Sequence, residues 1–364
     1  MAFDLSSLTS IFKSEIASSK SGACIGVDVG ASAIKIVQLK NERGIPTLET
    51  YGELQLGPYQ QTEVGRTTQL SVSKIVEALV DIMREASATA TRVSFALSYN
   101  SSFISAITVP SIDEEQISSM IPVEARKYIP ISLSRVTLDW TALSVDVEKK
   151  ETLILLSAVY NEAYARYESI MQGVGLEIVG SEIELFSSIR SVITPTDVAV
   201  AILDIGASST RLYIVEQGFV RKTHSVLMSG VDITSALASG LSITFAEAEE
   251  VKRTYGLLGK ENDARISKII TETIQRGMRE LHMVVTRYEQ ERNIQIQKVI
   301  LSGGGSLLQG LGGYVQEMFT RPVVFADPFS KVAYPAFLED TLKNAGPSFA
   351  VAVGVALRAQ QFEK

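Results

Sequence analysis

The sequence predicts an α/β protein of two duplicated mixed-sheet domains facing a cleft, with a small α/β subdomain inserted into the first. Three observations lead there. The string "GVDVGAS" at 26–32 returns as "ILDIGAS" at 202–208, and each copy runs from one apolar stretch into another, "AIKIVQL" and "STRLYIV". Around the first copy the order is strand, strand, strand, helix, strand. A dinucleotide-binding unit would instead place a helix directly after the first glycine turn. Residues 101–173 carry strands and helices of their own between two parts of the first domain.

Residues 23–29, 33–40 and 47–55 are Val-, Ile- and Leu-rich runs punctuated by Gly30, Gly44 and Pro46, which predicts three strands. "SKIVEALVDIMREA" (73–86) has helical apolar spacing, and "RVSFALS" (92–98) reads as a strand. The inserted segment then holds the strand "SFISAITVP", a helix "DEEQISSMIPVEARKYIP" interrupted at Pro122, the strands "VTLDWTALSVD" and "TLILLSAVYN", and the helix "EAYARYESIMQGVG". The first domain resumes with "LEIVGSEIE" and a helix to Val192, and "TPTD" (194–197) marks a boundary. The programme repeats with strands at 198–205, 209–216 and 218–224 and helices at 231–239, 244–256 and 264–291. The strand "KVILS" and the turn "GGGS" lead into the helix "LLQGLGGYVQEMF", and the small-residue helix "SFAVAVGVALRAQQ" suits close packing on a sheet. The expected division is 1–21, an N-terminal segment; 22–193, the first domain with its insert at 101–173; 194–345, the second domain; and 346–364, a helix returning to the first.

Composition narrows the chemistry. The 364 residues, 46% hydrophobic and 21% charged, suffice for a core that needs no disulfide or metal. The single cysteine, Cys24, cannot bridge within the chain and lies in an apolar strand, so a buried thiol and a reducing compartment are expected. A net charge of −7 without a basic block argues against nucleic acid as a partner. His224 and His282 stand apart from each other, which leaves zinc chemistry and a Ser–His–Asp triad little to build on. No apolar run approaches the roughly 20 residues that span a bilayer, so a cytoplasmic or peripheral location is expected. Leu8, Ile11, Phe12 and Ile16 predict a short amphipathic helix near the N-terminus without a cationic face. It reads as a helix lying on its own domain or docking on a protein partner.

A hairpin reading Asp-x-Gly-small-Ser has a specific use. Glycine permits a left-handed backbone and leaves room for a ligand, and small residues let several N–H groups converge on an anion. An aspartate beside phosphates needs a mediating cation, which suggests Mg²⁺. Two such hairpins would set Asp28 and Asp204 facing each other across a triphosphate. Lys35 and Arg211 each follow their aspartate by seven residues, and either reaches a phosphate or covers its sheet. In "VILSGGGSLLQG" (299–310), three glycines before a helix would admit a base and ribose against the backbone and the helix N-terminus.

Taken in order, "DVGAS…K", "DIGASST" and "SGGGS" resemble the two phosphate motifs and the adenosine motif of the actin-like ATPase superfamily. The resemblance covers about residues 22–358. "PVEARKYIPISLSRVTLDW" (122–140), "MSGVDITSAL", "AEEVKRTYG" and "AVAVGVALR" further resemble the PilM family of type IV pilus assembly proteins, which is related to FtsA. FtsA itself fits less well, because only "AQQFEK" follows the last predicted helix where its membrane helix would stand.

The resemblance implies an actin-like fold around a nucleotide cleft, with the insert as a 1C-like subdomain. It implies ATP and Mg²⁺, with phosphates cradled by Gly30, Ala31, Ser32, Gly206, Ala207, Ser208 and Ser209, and with Lys35 nearby. Asp28 and Asp204 would hold the metal largely through water. Gly303, Gly304 and Gly305 would lie against adenosine, Glu249 and Lys252 beside base and ribose, and Gly230 near the phosphate tail. Glu184, ahead of Glu182, aligns with the residue that orients the attacking water, although it could equally cap the helix that follows. The implied role is a cytoplasmic adaptor, peripheral to the inner membrane, that binds the N-terminal cytoplasmic segment of a PilN-like protein. Further platform components and self-association are part of the same picture. An FtsA-like scaffold or filament and a small-molecule kinase are the alternatives.

Overall fold

The computed structural model describes residues 22–261 and 263–361. The N-terminal segment 1–21, expected to form a helix that lies on its own domain or docks on a partner, lies outside the described residues. In chain order the elements of the first half are β1 (Cys24–Val29), β2 (Ala33–Glu42), β3 (Ile45–Gln55), α1 (Val72–Glu85) and β4 (Arg92–Leu97). Then come β5 (Ser102–Val109), α2 (Glu114–Ala125), β6 (Val136–Asp146), β7 (Glu151–Tyr160), α3 (Asn161–Val174), β8 (Glu177–Ile183) and α4 (Glu184–Val192). The remainder is β9 (Ala199–Ile205), β10 (Thr210–Glu216), β11 (Phe219–Val226), α5 (Gly230–Leu241), α6 (Phe245–Tyr255), α7 (Arg265–Arg292), β12 (Lys298–Ser302), α8 (Leu311–Phe319), β13 (Val323–Phe325) and α9 (Glu339–Gln361).

Two five-stranded sheets, β3-β2-β1-β4-β8 and β11-β10-β9-β12-β13, are built to one plan. In each, the strand carrying the Asp-x-Gly motif is central. It pairs antiparallel with its hairpin partner and parallel with the strand on its other side. The register is the same in both copies: Asp28 stands opposite Lys35, and Asp204 opposite Arg211. Both central strands are apolar almost throughout, as strands covered on two faces must be.

The helices cover these sheets with stripes set by helical periodicity. Helix α1 buries Ile75, Ala78, Leu79 and Ile82 and is capped by Ser71, whose hydroxyl accepts from the Lys74 N–H. The 28-residue α7 buries Ile266, Ile270, Ile274, Met278, Leu281, Val285 and Tyr288 on one face. Helix α9 packs on β1, where a Cβ on Gly26 would stand 2.3 Å from the Ala352 carbonyl oxygen. Its other side meets α4, where a Cβ on Gly354 would fall 1.9 Å from the Ser187 carbonyl oxygen. Buried between β8, α4 and α9, Glu182 is bound by Arg190, Arg358 and the Ser187 hydroxyl. Burial pushes its carboxyl up, but the two arginines hold it below the ordinary range.

The insert is a three-stranded antiparallel sheet in the order β5-β7-β6. Central β7 points Ile154, Leu156 and Ala158 at α2 and Leu155 and Val159 at the core of the first half. Helix α2 does not break at Pro122 but continues to Ala125. Burial of Ile117, Ile121 and Ala125 on the sheet outweighs the roughly 3 kcal/mol an internal proline costs. Three other differences from expectation concern element boundaries and one short strand. The last helix begins at Glu339 rather than Ser348 and runs through Pro347. A 3₁₀ turn, Gly304–Leu307, takes in two of the three glycines, and α8 starts only at Leu311. The short edge strand β13 was not foreseen; three residues are too few for an alternation signal.

Candidate functional site

The two hairpin turns close in the same way. The Gly30 N–H donates to the Ala33 carbonyl and the Gly206 N–H to the Ser209 carbonyl, each at 2.9 Å. Neither glycine has a positive φ, so left-handed backbone is not why glycine stands there. A Cβ would sit 3.0 Å from the Ala33 oxygen or 3.2 Å from the Ser209 oxygen, crowding the carbonyl that its own N–H engages. Glycine relieves this close approach, which a Cβ would tighten.

A cleft of about 580 Å³ lies between the halves. Asp28, Gly30, Ala31, Ser32 and Lys35 line it from the first hairpin, and Asp204, Gly206, Ala207, Ser208, Ser209 and Arg211 from the second. Gly303, Gly304 and Gly305 contribute the strand-end turn, Gly230, Glu249 and Lys252 come from α5 and α6, and Glu184 from the start of α4. Of the site residues singled out in the sequence, all but the second-ranked Glu182 border this one cavity. Gly303, at φ +81°, is held by its N–H to the Pro347 carbonyl at 2.8 Å, and its missing side chain leaves room for Asp204: a Cβ would lie 2.5 Å from Asp204 Oδ1. Gly304 faces open space, with nothing within 4 Å of its would-be Cβ. Because α8 starts beyond Gly310, the glycines present a backbone turn to the cleft and not a helix N-terminus.

Three carboxylates give the cleft its electrostatics. Burial pushes Asp28 up to about 6, opposed by Lys35 and reinforced by Asp204. Burial likewise pushes Glu184 up to about 7, opposed by Arg211 and reinforced by Asp204 and Asp28. Asp204 is also raised by burial, against the pull of Arg211 and Lys35. Such a cluster of hard oxygen donors, reluctant to ionise together, is chemically suited to a hard divalent cation. Among the described residues no group of three or more His, Cys, Asp or Glu side chains is spaced to hold a metal directly.

Two pairs do more than the sequence suggested. Arg211 Nη1 binds Glu184 Oε1 at 2.8 Å, and the same oxygen accepts the Tyr99 N–H at 2.8 Å. Arg211 also donates to Asn100 Oδ1 at 3.3 Å. Glu184 thus lies in the first turn of α4 without capping it; no side-chain cap is made there. Glu182, the second candidate for water positioning, is locked in its arginine network and does not line the cleft. Glu249 and Lys252 are no solvated helix face. Lys252 Nζ donates to Glu249 Oε2 (2.6 Å), Thr234 Oγ1 (2.8 Å) and the Gly230 carbonyl (3.2 Å), which ties α6 to α5.

Sequence reasoning missed Tyr99 and Asn100, the loop residue Gly65, Arg253, and the Pro347–Ser348 stretch of α9, which also border the cleft or its polar network. Tyr99 and Asn100 directly follow a strand end, the one signal available for them. Of the remaining candidates, Cys24 is buried and unbridged. His224 binds Glu280 at 2.7 Å, and His282 packs on Phe319, so neither belongs to the site.

Comparison with known proteins agrees with this fold. A structure described as a PilM–PilN type IV pilus biogenesis complex superposes with a TM-score of 0.78 at 26% identity, over 93% of this chain and 98% of that one. MreB5 of Spiroplasma citri bound to ADP matches with a TM-score of 0.53 at 13% identity, over 94% and 97% of the two chains, which shows the shared actin-like fold. The cell division protein FtsA of Pseudomonas aeruginosa is 24% identical over 216 residues, 53% of this chain and 50% of FtsA. The chain spans between about a third and a half of the length of the curated relatives it matches. The family model for type IV pilus assembly protein PilM matches residues 26–360, and the chain belongs to that family.

Proposed function

We propose that this protein is an ATP-binding adaptor of a type IV pilus, or a related secretion or competence, assembly machine. One observation carries the nucleotide reading: two hairpins with identical closing bonds and identical acid–base register, Asp28 opposite Lys35 and Asp204 opposite Arg211, border one cleft. Bound Mg²⁺–ATP would bring a polyanion neutralised by a hard cation. The backbone N–H groups around Gly30–Ser32 and Gly206–Ser209, with Lys35, would hold the phosphates. Asp28 and Asp204 would hold the magnesium through water, and the fit rests on their crowded, buried carboxyls. Gly303–Gly305 would take adenosine, with Gly230, Glu249 and Lys252 bordering it. Glu184 would orient a water if hydrolysis occurs, but its pairing with Arg211 favours slow turnover.

The adaptor reading rests on family membership and on the likeness to a PilM–PilN complex. The expected partner is the N-terminal cytoplasmic segment of a PilN-like membrane protein, which would keep the protein at the inner face of the membrane. No helix among the described residues is long and apolar enough to cross a membrane. A labelled synthetic peptide of such a segment should bind with micromolar or tighter affinity, and ATP should strengthen binding. A coupled assay with a panel of sugars should show no phosphorylation; turnover of any sugar would favour a kinase instead.

A further inference from the structure

Residues 56–68 form a loop with no counterpart in the second half, and its placement is unusual. Both ends are clamped to the first hairpin turn: the Leu56 N–H donates to the Ser32 carbonyl and the Thr68 N–H to the Ala31 carbonyl, each at 2.8 Å. Between these clamps the loop is folded on itself. The Thr62 N–H donates to the Gly57 carbonyl at 3.0 Å, a Cβ on Gly57 would fall 2.3 Å from the Glu63 oxygen, and Arg66 binds Glu63 at 2.5 Å. Tyr59 anchors the loop to α1 through Asp81 at 2.7 Å. Its ends adjoin and its interior is its own, which makes it a compact Ω-type loop and not a slack connection.

Its tip crosses to the other half. The Arg66 guanidinium lies 4.0 Å from the centre of the buried Phe245 ring at the start of α6. Gly65, at φ +89°, is pressed so close to Glu249 that a Cβ would stand 2.8 Å from its carboxyl carbon. Glu249 binds Lys252, Lys252 binds the Gly230 carbonyl, and the Gly230 N–H donates to Gly206 of the second hairpin at 3.0 Å. The loop therefore joins one hairpin turn to the other around the edge of the cleft.

We propose that residues 56–68 are a strap that closes one side of the cleft and must part from α6 for nucleotide to enter or leave. This rests on the nucleotide reading above. A strap that gates passage limits entry and exit alike, whereas a group that touches the ligand changes mainly its departure. The test is stopped-flow exchange of a fluorescent ATP analogue on the full chain carrying Arg66→Ala, Phe245→Ala or both. Each single change should raise the association and dissociation rates together by about fivefold, the factor that a lost cation–π contact of about 1 kcal/mol supplies. The equilibrium affinity should shift less than twofold, and the double variant should behave like either single. Wild-type protein that binds no nucleotide would sink both readings. Binding with unaltered exchange, or a faster departure without a faster entry, would sink the strap alone.

Discussion

Arg211 of β10 and Glu184 at the start of α4 form a 2.8 Å ion pair that joins the second half of the molecule to the first inside the cleft. Both side chains are nearly buried, at 10% and 15% exposure, so neither charge is easily left alone. Arg211→Met should lower stability by about 3 kcal/mol, the usual cost of stranding one member of a buried pair. Adding Glu184→Gln should recover most of that loss, since the amide oxygen still accepts the Tyr99 N–H. Thermal unfolding of the two single variants and the double checks this; additive losses would mean the pair is not coupled.

The raised carboxyls predict a pH dependence with a definite sign. The folded protein keeps a proton on Asp28 up to about 6, while the unfolded chain releases it near 3.8. Stability is therefore greatest below the lower value and is lost as pH rises through the upper one. Asp28→Asn should remove the share of this slope that Asp28 contributes and be the more stable protein above about pH 7, by an order-of-magnitude 2–3 kcal/mol. Urea unfolding of both proteins across pH 4–8 measures the gap.

Magnesium and ATP should reverse that effect. A cation near Asp28 and Asp204 favours their ionised forms, so binding at pH 6.5 should release protons. Calorimetric titration in buffers of different ionisation heats reads the number released. Uptake or no exchange would argue against a cation beside these carboxyls.

Neighbouring glycines separate fold from site. Gly303→Ala would set a methyl group 2.5 Å from Asp204 Oδ1 on a left-handed backbone, and should lower both stability and nucleotide affinity. Gly304→Ala meets nothing within 4 Å and should leave melting unchanged. If adenosine lies on this turn, affinity should nevertheless fall about tenfold or more. Equal melting and equal affinity would place the base elsewhere.

Much of the site was legible because it rests on local chemistry said twice. The Asp-x-Gly strings, the basic residue seven positions on and the triple glycine each lie within one hairpin or turn, so their spacing determines which atoms share a strand end. What failed needed tertiary knowledge. The partner of Arg211 is Glu184, 27 residues earlier in the chain, and nothing in either segment names the other. Glu182 and Glu184 stand two residues apart in sequence, yet Glu182 lies in β8 and is buried against the arginines of α4 and α9, while Glu184 opens α4 at the cleft. The glycines at 30 and 206 suggest a left-handed backbone in sequence, but neither adopts it; each faces a nearby carbonyl instead. Pro122 reads as a break because propensity is local, whereas the burial that overrides it is not. The loop at 56–68 carried no motif at all; only its clamps and its contact with α6 give it meaning.

The most direct test is the affinity of Mg²⁺–ATP for the wild type and for the Asp28→Ala, Asp204→Ala double variant, measured by equilibrium dialysis at pH 8 with circular dichroism confirming that both are folded. Mirrored acidic hairpins that share one metal–triphosphate predict a loss of at least a hundredfold. A folded double variant that binds as tightly as the wild type would contradict that arrangement.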